Sequence, residues 1–352
     1  MSFSVSRRVK AFAYPHWFLF CFGASLYATF PIDVVKAPVT HALEVALGKG
    51  KQGRYGVDPV VQIGALSPSL LGGVTLERLS LQLGSTDPEP GATLFFDEVS
   101  VRVGWLGLLL NDPSVHFDVS LYEGRVGGSV GLTGPKGAND KFLGHTRGFL
   151  QGKVSGLSSL TVDVSGIDLG RAPPVLEKAG VPVTGMVQGE LDLQMGDEPS
   201  KQATGLIDLG IKGLTIGPGE LQIPVPGLTG GLTLPLIDMG DLEVKAPVRE
   251  GKATFEKASL TGRDFNASLE MELAFAATLG AARPTADGSF QISEQFLEQN
   301  SKFKTLLDFA APLKRARDDQ GRYHFNLRGT LAKPKFSLSS SGGKSTARRK
   351  QK

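Results

Sequence analysis

The chain has 352 residues, long enough to bury one large core or two smaller ones, and its formal net charge of +3 is too small to imply a nucleic-acid partner. Its 45 glycines show no three-residue period, which excludes collagen, and its one cysteine, Cys21, excludes an intrachain disulfide and a cysteine-based metal cluster.

Residues 1–11 form a short basic N-terminus with Arg7, Arg8 and Lys10. From Phe12 to Phe30 there follow 19 residues without Asp, Glu, Lys or Arg. As a helix this segment is roughly 28 Å long, close to the ~30 Å hydrocarbon core of a bilayer. Trp17, Phe18, Leu19, Phe20, Phe22 and Leu26 are its anchoring side chains, and Tyr14 and Tyr27 stand toward its ends, where amphipathic rings favour the interface. The preceding cations place the N-terminus in the cytoplasm and the body across the membrane. A cleaved signal peptide fits less well, because the best cleavage residue, Ala28, has Leu26 at the −3 position. Cys21 follows Phe20 rather than a small residue and reads as an apolar anchor residue, not a lipidation site.

Residues 31–338 read as a β-rich body. A short helix is expected near Pro38, with Val39, Leu43, Ala46 and Leu47 on one face. Beyond Gly48 the apolar period becomes two, as in strands with one buried face. Val99, Val101 and Val103 alternate with polar residues, as do Val115, Phe117, Val119 and Leu121. Leu160, Val162 and Val164, then Leu191, Leu193 and Met195, and Ile207, Leu209 and Ile211 follow, with further runs at Leu232–Leu236, Phe265–Leu273 and Tyr323–Leu327. Asp87-Pro88, Gly127-Gly128, Gly217-Pro218-Gly219 and Gly230-Gly231 supply turn signals between runs. One amphipathic helix is expected from about Ser293 to Ala311, capped by Ser293 and ended by Pro312, and a weaker one from Pro173 to Ala179. Residues 339–352, rich in Ser, Gly, Lys and Arg, are expected to be a disordered basic tail.

Chemistry-bearing motifs are sparse. Gly127-Gly128-Ser129-Val130-Gly131 matches Gly-x-Ser-x-Gly, but strand pattern flanks it on both sides, whereas a nucleophile elbow needs a strand before and a helix after. Gly48-Lys49-Gly50-Lys51-Gln52-Gly53 follows a helix instead of preceding one, the reverse of what phosphate binding requires. His16, His41, His116, His145 and His324 are scattered without zinc-ligand spacing. No catalytic residue, metal ligand or cofactor is assigned. The expected fold class is therefore mainly β: one N-terminal transmembrane helix, then a large curved antiparallel sheet with one or two amphipathic helices.

The order of features resembles a known family. After the anchor come Phe30-Pro31-Ile32-Asp33-Val34-Val35-Lys36, Ile63-Gly64-Ala65-Leu66-Ser67-Pro68, and Gly72-Gly73-Val74-Thr75-Leu76. Leu94-Phe95-Phe96-Asp97-Glu98-Val99-Ser100-Val101-Arg102-Val103 and the Tyr122-Glu123-Gly124 turn follow, and Leu327-Arg328-Gly329-Thr330-Leu331-Ala332-Lys333-Pro334-Lys335-Phe336 closes the body. This layout resembles the type II secretion system protein N (GspN) family and the wider AsmA-like group, whose repeated strands build a groove, or β-taco. The resemblance implies a non-enzymatic, single-pass component of the bacterial inner membrane, its body periplasmic and its partners the membrane and other secretion-system proteins. The alternative it implies is an AsmA-like lipid carrier holding phospholipid acyl chains in an apolar groove. In that case Val99, Val101, Val103, Phe117, Val119 and Leu121 are the candidate groove lining.

Overall fold

The computed structural model describes residues 60–69, 73–82, 93–134, 143–154, 156–172, 181–196, 198–221, 232–255, 257–276, 281–309 and 311–339, with Trp17, Phe18, Lys36 and Thr40. The body is mainly β, as the alternation requires. Fifteen strands form one antiparallel sheet in nearly sequential order. They are β1 (Val60–Ser69), β2 (Gly73–Gln82), β3 (Thr93–Val103), β4 (Ser114–Leu121), β5 (Gly124–Thr133), β6 (Gly156–Asp168), β7 (Val183–Gln194) and β8 (Thr204–Ile216). A two-stranded ribbon, β9 (Gly219–Leu221) with β10 (Leu232–Leu234), stands apart. The main sheet then resumes with β11 (Ile237–Arg249), β12 (Lys252–Phe255), β13 (Lys257–Thr261), β14 (Phe265–Ala274), β15 (Arg283–Ile292), β16 (Tyr323–Thr330) and β17 (Lys333–Leu338). Most strands pair with their predecessor, the exceptions in the main sheet being β11, which pairs with β8, and β13, which pairs with β11 and β14; all the pairing is antiparallel. Among the described residues β1 and β17 are the two edges and do not pair with each other.

Fifteen strands exceed the number at which twisted open sheets stay flat. The register is broken at one level of four adjacent strands: between Val164 and Ile167, between Thr184 and Met186, and on either side of Gly240. Glycines with positive φ occupy that level, Gly166 (67°), Gly185 (146°), Gly213 (62°) and Gly240 (69°). Such bulges add twist and bend the strand locally, so the row forms a crease across β6, β7, β8 and β11. Gly240 N donates to Asp238 Oδ1 (3.0 Å) and Gly213 N to Asp241 Oδ1 (2.8 Å), which satisfies two amides that the broken ladder leaves unpaired.

Short helices decorate the two ends of the strands. Helices α1 (Trp105–Leu109) and α2 (Gly144–Leu150) follow β3 and β5 at the end where the β1–β2 hairpin turns. After a single turn, α3 (Pro199–Gln202), the remaining helices α4 (Glu294–Gln299), α5 (Ser301–Phe309) and α6 (Ala311–Ala316) join β15 to β16 at the opposite end, where β1 begins.

Several expectations are corrected. The single helix from Ser293 to Ala311 is three helices. Ser293 does cap the first, its Oγ accepting from Phe296 N (3.1 Å), but the chain turns at Asn300, whose Nδ2 donates to the Phe296 carbonyl (2.9 Å). The bend brings the Phe296 and Phe303 rings edge to face at 5.9 Å. Pro312 does not end a helix. It occupies the first turn of α6, where its missing N–H costs nothing. More helical segments are therefore present than the one or two expected. Gly127-Gly128 is not a turn but the middle of β5, and Ser67-Pro68 lies in the last residues of β1 on a sheet edge, where proline is tolerated. Tyr122 and Glu123 do form the expected turn, both at positive φ (49° and 63°), between the paired residues Leu121 and Gly124.

No helix among the described residues is long and apolar enough to cross a membrane. Of the anchor expected at residues 12–30, Trp17 and Phe18 are helical and exposed; Leu19, Phe20, Phe22 and Leu26 lie outside the described residues. The helix expected near Pro38 is described only at Lys36 and Thr40, both helical, with Lys36 Nζ donating to the Gly64 carbonyl of β1 (3.1 Å). The helix expected at Pro173–Ala179, the glycine run from Gly48, the Asp87-Pro88 and Gly230-Gly231 turn signals and the tail beyond Ser339 also lie outside them.

Candidate functional site

Directly paired residues of an antiparallel sheet share a face, and here the pairing carries apolar side chains across many strands in unbroken rows. One row runs Leu66, Leu76, Val99, Val119, Val126, Val164, Gly189, Leu209 and Val244. The next runs Pro68, Val74, Val101, Phe117, Gly128, Val162, Leu191, Ile207 and Ala246. A third joins Val103, Val115, Val130, Leu160, Leu193, Gly205 and Val248. All six residues expected to line a groove lie on this face, with Val99 opposite Val119, Val101 opposite Phe117, and Leu121 closing the β4–β5 hairpin.

Burial along the face is uneven. At β1–β3, Val61, Ile63, Leu66, Leu76 and Leu79 form a closed cluster. At β7–β15, Leu193, Ile207, Val248, Phe255, Leu273 and Phe275 form a second, and Phe296 and Leu297 of α4 cover Ile292 in a third. Between the first two, on β3–β6, every apolar side chain of the rows is only half-buried, from Val99 and Phe117 to Val162, and so is Leu191 on β7, where Leu193 already belongs to the second cluster. This open section measures roughly 20 Å on a side from strand spacing and rise, or about 400 Å², in the range of the largest functional patches on monomers.

The opposite face is polar. Thr75, Ser100, Asp118, Gly127, Asp163, Glu190, Asp208 and Lys245 follow one another across it in direct register. Lys245 Nζ donates to Asp208 Oδ2 (2.8 Å) and Arg125 Nε to Asp118 Oδ1 (2.7 Å), and each cation is held above its ordinary pKa by that carboxylate. Both pairs are exposed and contribute little to stability. Their effect is to fix which face meets water.

Ser129 lies inside β5 with strands on both sides, opposite His116 and Thr161, and not at a strand-to-helix elbow. Among the described residues no group of three or more His, Cys, Asp or Glu side chains is placed to hold a metal ion. A polar hollow of about 510 Å³ lies near α5 and α6, lined by Asp308, Lys314, Arg317, Asp318 and Tyr323 among others. Its Asp318 is fully engaged, accepting from His324 Nε2 (3.0 Å), Arg322 N (2.8 Å) and Gln320 N (2.9 Å), which serves to fold the loop.

The sequence reading missed two groups. Val126, Val130, Leu160 and Val162 extend the open section beyond β4; their alternation was visible, but only the register joins them to Phe117. The run Trp105-Leu106-Gly107-Leu108-Leu109-Leu110 departs from alternation, a signal for a helix, and it forms α1. No family model, curated protein or solved structure matches the chain.

Proposed function

We propose that this protein binds the hydrocarbon chains of lipid on the open section of its apolar face, as a binding protein and not a catalyst. The observation that carries the reading is the half-buried block centred on Val101 and Phe117, bounded on both sides by closed clusters. Apolar surface left open between two well-packed regions lowers its free energy by about 0.8 kcal/mol for each methylene it covers. The crease of glycines supports a sheet curved around that block into a groove of the AsmA-like kind. With the segment 12–30 as an inner-membrane anchor and the N-terminus cytoplasmic, the sheet would stand in the periplasm.

The test is native mass spectrometry with lipid extraction on the full-length chain. Phospholipid should co-purify with the wild type and be lost from Phe117→Asp and Val101→Asp. His116→Asp, one residue from Phe117 but on the polar face, should keep it. A folded wild type free of lipid would overturn the reading. A role as an accessory subunit of type II secretion rests on the order of sequence motifs from Phe30 to Phe336; deletion that leaves secretion intact would remove it.

A further inference from the structure

The end of the sheet opposite the start of β1 carries an apolar surface of a different kind. In α1 and the residue after it, Leu106, Leu109 and Leu110 are 72%, 74% and 72% exposed, and Trp105 is 55% exposed. Leu150, at the end of α2, is 70% exposed. Only Leu108 of the α1 run points inward.

These side chains stand on a rigid base. Thr146 Oγ1 of α2, itself buried, donates to the Leu108 carbonyl (2.7 Å). Asn111 Oδ1 accepts from His145 N (2.8 Å) and Thr146 N (3.2 Å), tying the end of α1 to the first turn of α2. The Gly104 amide donates to the Ser114 carbonyl (2.8 Å), and a Cβ at Gly107 would collide with the Asp112 carbonyl oxygen. The helix pair is thus locked through its polar groups while its leucines face outward.

The composition distinguishes between occupants. Protein–protein hot spots favour Trp, Tyr and Arg and disfavour Leu, and their surroundings are depleted in Lys. Surfaces that lie in a membrane interface combine Leu and Trp with cations beside them. Here Arg147 and Lys153 are exposed next to Leu150, and among the described residues neither takes part in an ion pair. Asp112 is the one exposed carboxylate of the described residues 104–113 and 143–154.

We infer that the α1–α2 tip docks onto an anionic phospholipid bilayer, with Trp105, Leu106, Leu109, Leu110 and Leu150 entering the headgroup boundary and Arg147 and Lys153 meeting lipid phosphate. This contact is separate from the lipid-holding strip and does not depend on it.

The chain has two tryptophans, Trp17 and Trp105, so Trp17→Phe makes Trp105 the sole indole reporter. The full-length Trp17→Phe chain is reconstituted in phosphatidylglycerol-containing vesicles. Lipids brominated on the acyl chain are placed either in those vesicles or in a second population added afterwards. Trp105 emission is expected to shift to the blue and to be quenched in at least one arm, which also shows whether the tip meets its own or a second membrane. Leu109→Asp and Leu110→Asp should each weaken docking by on the order of tenfold, and Arg147→Glu with Lys153→Glu should abolish the preference for phosphatidylglycerol over phosphatidylcholine. Thermal melting should be unchanged by these exposed substitutions. Val101→Asp should leave the Trp105 signal intact even where it removes bound lipid. Water-like, unquenched emission in both arms overturns the inference. So does a blue shift that grows with protein concentration without quenching, which would assign the patch to a second copy.

Discussion

Phe117 reaches across to Gly128, its direct partner on β5, so that a Cβ built at Gly128 would sit 2.9 Å from Phe117 Cζ and collide with the Thr161 carbonyl oxygen. The ring takes the space that a side chain at position 128 would need. The same arrangement recurs at Phe325 and Gly288 on β16 and β15, where the distance to Cζ is 2.5 Å. In both places an aromatic side chain compensates for glycine's lack of side-chain packing in a strand. Gly128→Ala should therefore destabilise the protein by about 1–3 kcal/mol through overpacking, although alanine is the better strand residue. A melting temperature equal to the wild type would show that the ring moves aside at no cost.

That pair also shows what was legible in the sequence and what was not. Period-two alternation exposed most strands and their apolar parity, because each strand has one wet face; hence Val99, Val101, Val103, Phe117, Val119 and Leu121 could be named together. Gly127-Gly128 read as a turn because a local signal cannot reveal that a ring from another strand covers it. The helix after Ser293 had a readable start in its cap, but its break at Asn300 depends on a side chain returning to the Phe296 carbonyl and on Phe303 folding against Phe296. The leucines of α1 interrupt the alternation, but nothing local in the sequence shows that they face outward. Their exposure follows from the Thr146 and Asn111 bonds made 35–38 residues away in sequence.

Asp264 joins three elements near the crease. Its Oδ2 accepts from Asp238 N (3.0 Å), its own amide donates to the Asp238 carbonyl (3.0 Å), and its carbonyl accepts from the capping residue Ser293 (2.9 Å). Chiefly through the hydrogen bond from Arg263, with burial opposing and Asp238 N assisting, the carboxyl is held below its ordinary pKa. A depressed folded-state value stabilises the fold fully above the unfolded carboxylate pKa of about 3.9, and that contribution is lost as pH falls through the folded value. Asp264→Asn keeps an oxygen for Asp238 N, so it should cost about 1 kcal/mol at neutral pH. The gap to the wild type should narrow as pH falls below about 3.9 toward the lower folded-state value. Asp318, lowered chiefly by its bond from His324, loses its contribution in both proteins and cancels from the difference. A gap that stays constant from pH 7 to 3 would show that the charge of Asp264 contributes nothing.

On the polar face Asp163, Glu190 and Asp208 stand directly opposite one another on β6, β7 and β8. Lys245 donates a hydrogen bond to the last of them, through Asp208 Oδ2, and feels Glu190 more weakly at longer range. Like charges in direct cross-strand register oppose pairing, so Glu190→Lys, which places a cation between two carboxylates, should stabilise by roughly 0.2–1 kcal/mol. The gain should be largest at low ionic strength and fade as salt is added. A substitution that lowers the melting temperature at low salt would mean that the three carboxylates are stabilised in some other way.

Gly213 and Gly240 lie in the same crease with nearly the same left-handed backbone, φ +62° and +69°, yet their surroundings differ. A Cβ at Gly213 meets nothing within 4 Å, whereas one at Gly240 would collide with the Thr261 carbonyl oxygen on β13. Gly213→Ala therefore carries only the conformational cost of a left-handed alanine, about 1–2 kcal/mol. Gly240→Ala carries that cost and must also push β13 away from β11, so its total should exceed about 3 kcal/mol. The difference separates two explanations of the crease. If left-handed backbone alone matters, the two variants melt together. If close approach of β13 at the bulge holds the bend, Gly240→Ala melts well below Gly213→Ala, and it should also reduce lipid retained on the distant Phe117 block, because a sheet that loses its bend flattens the surface that the lipid would occupy.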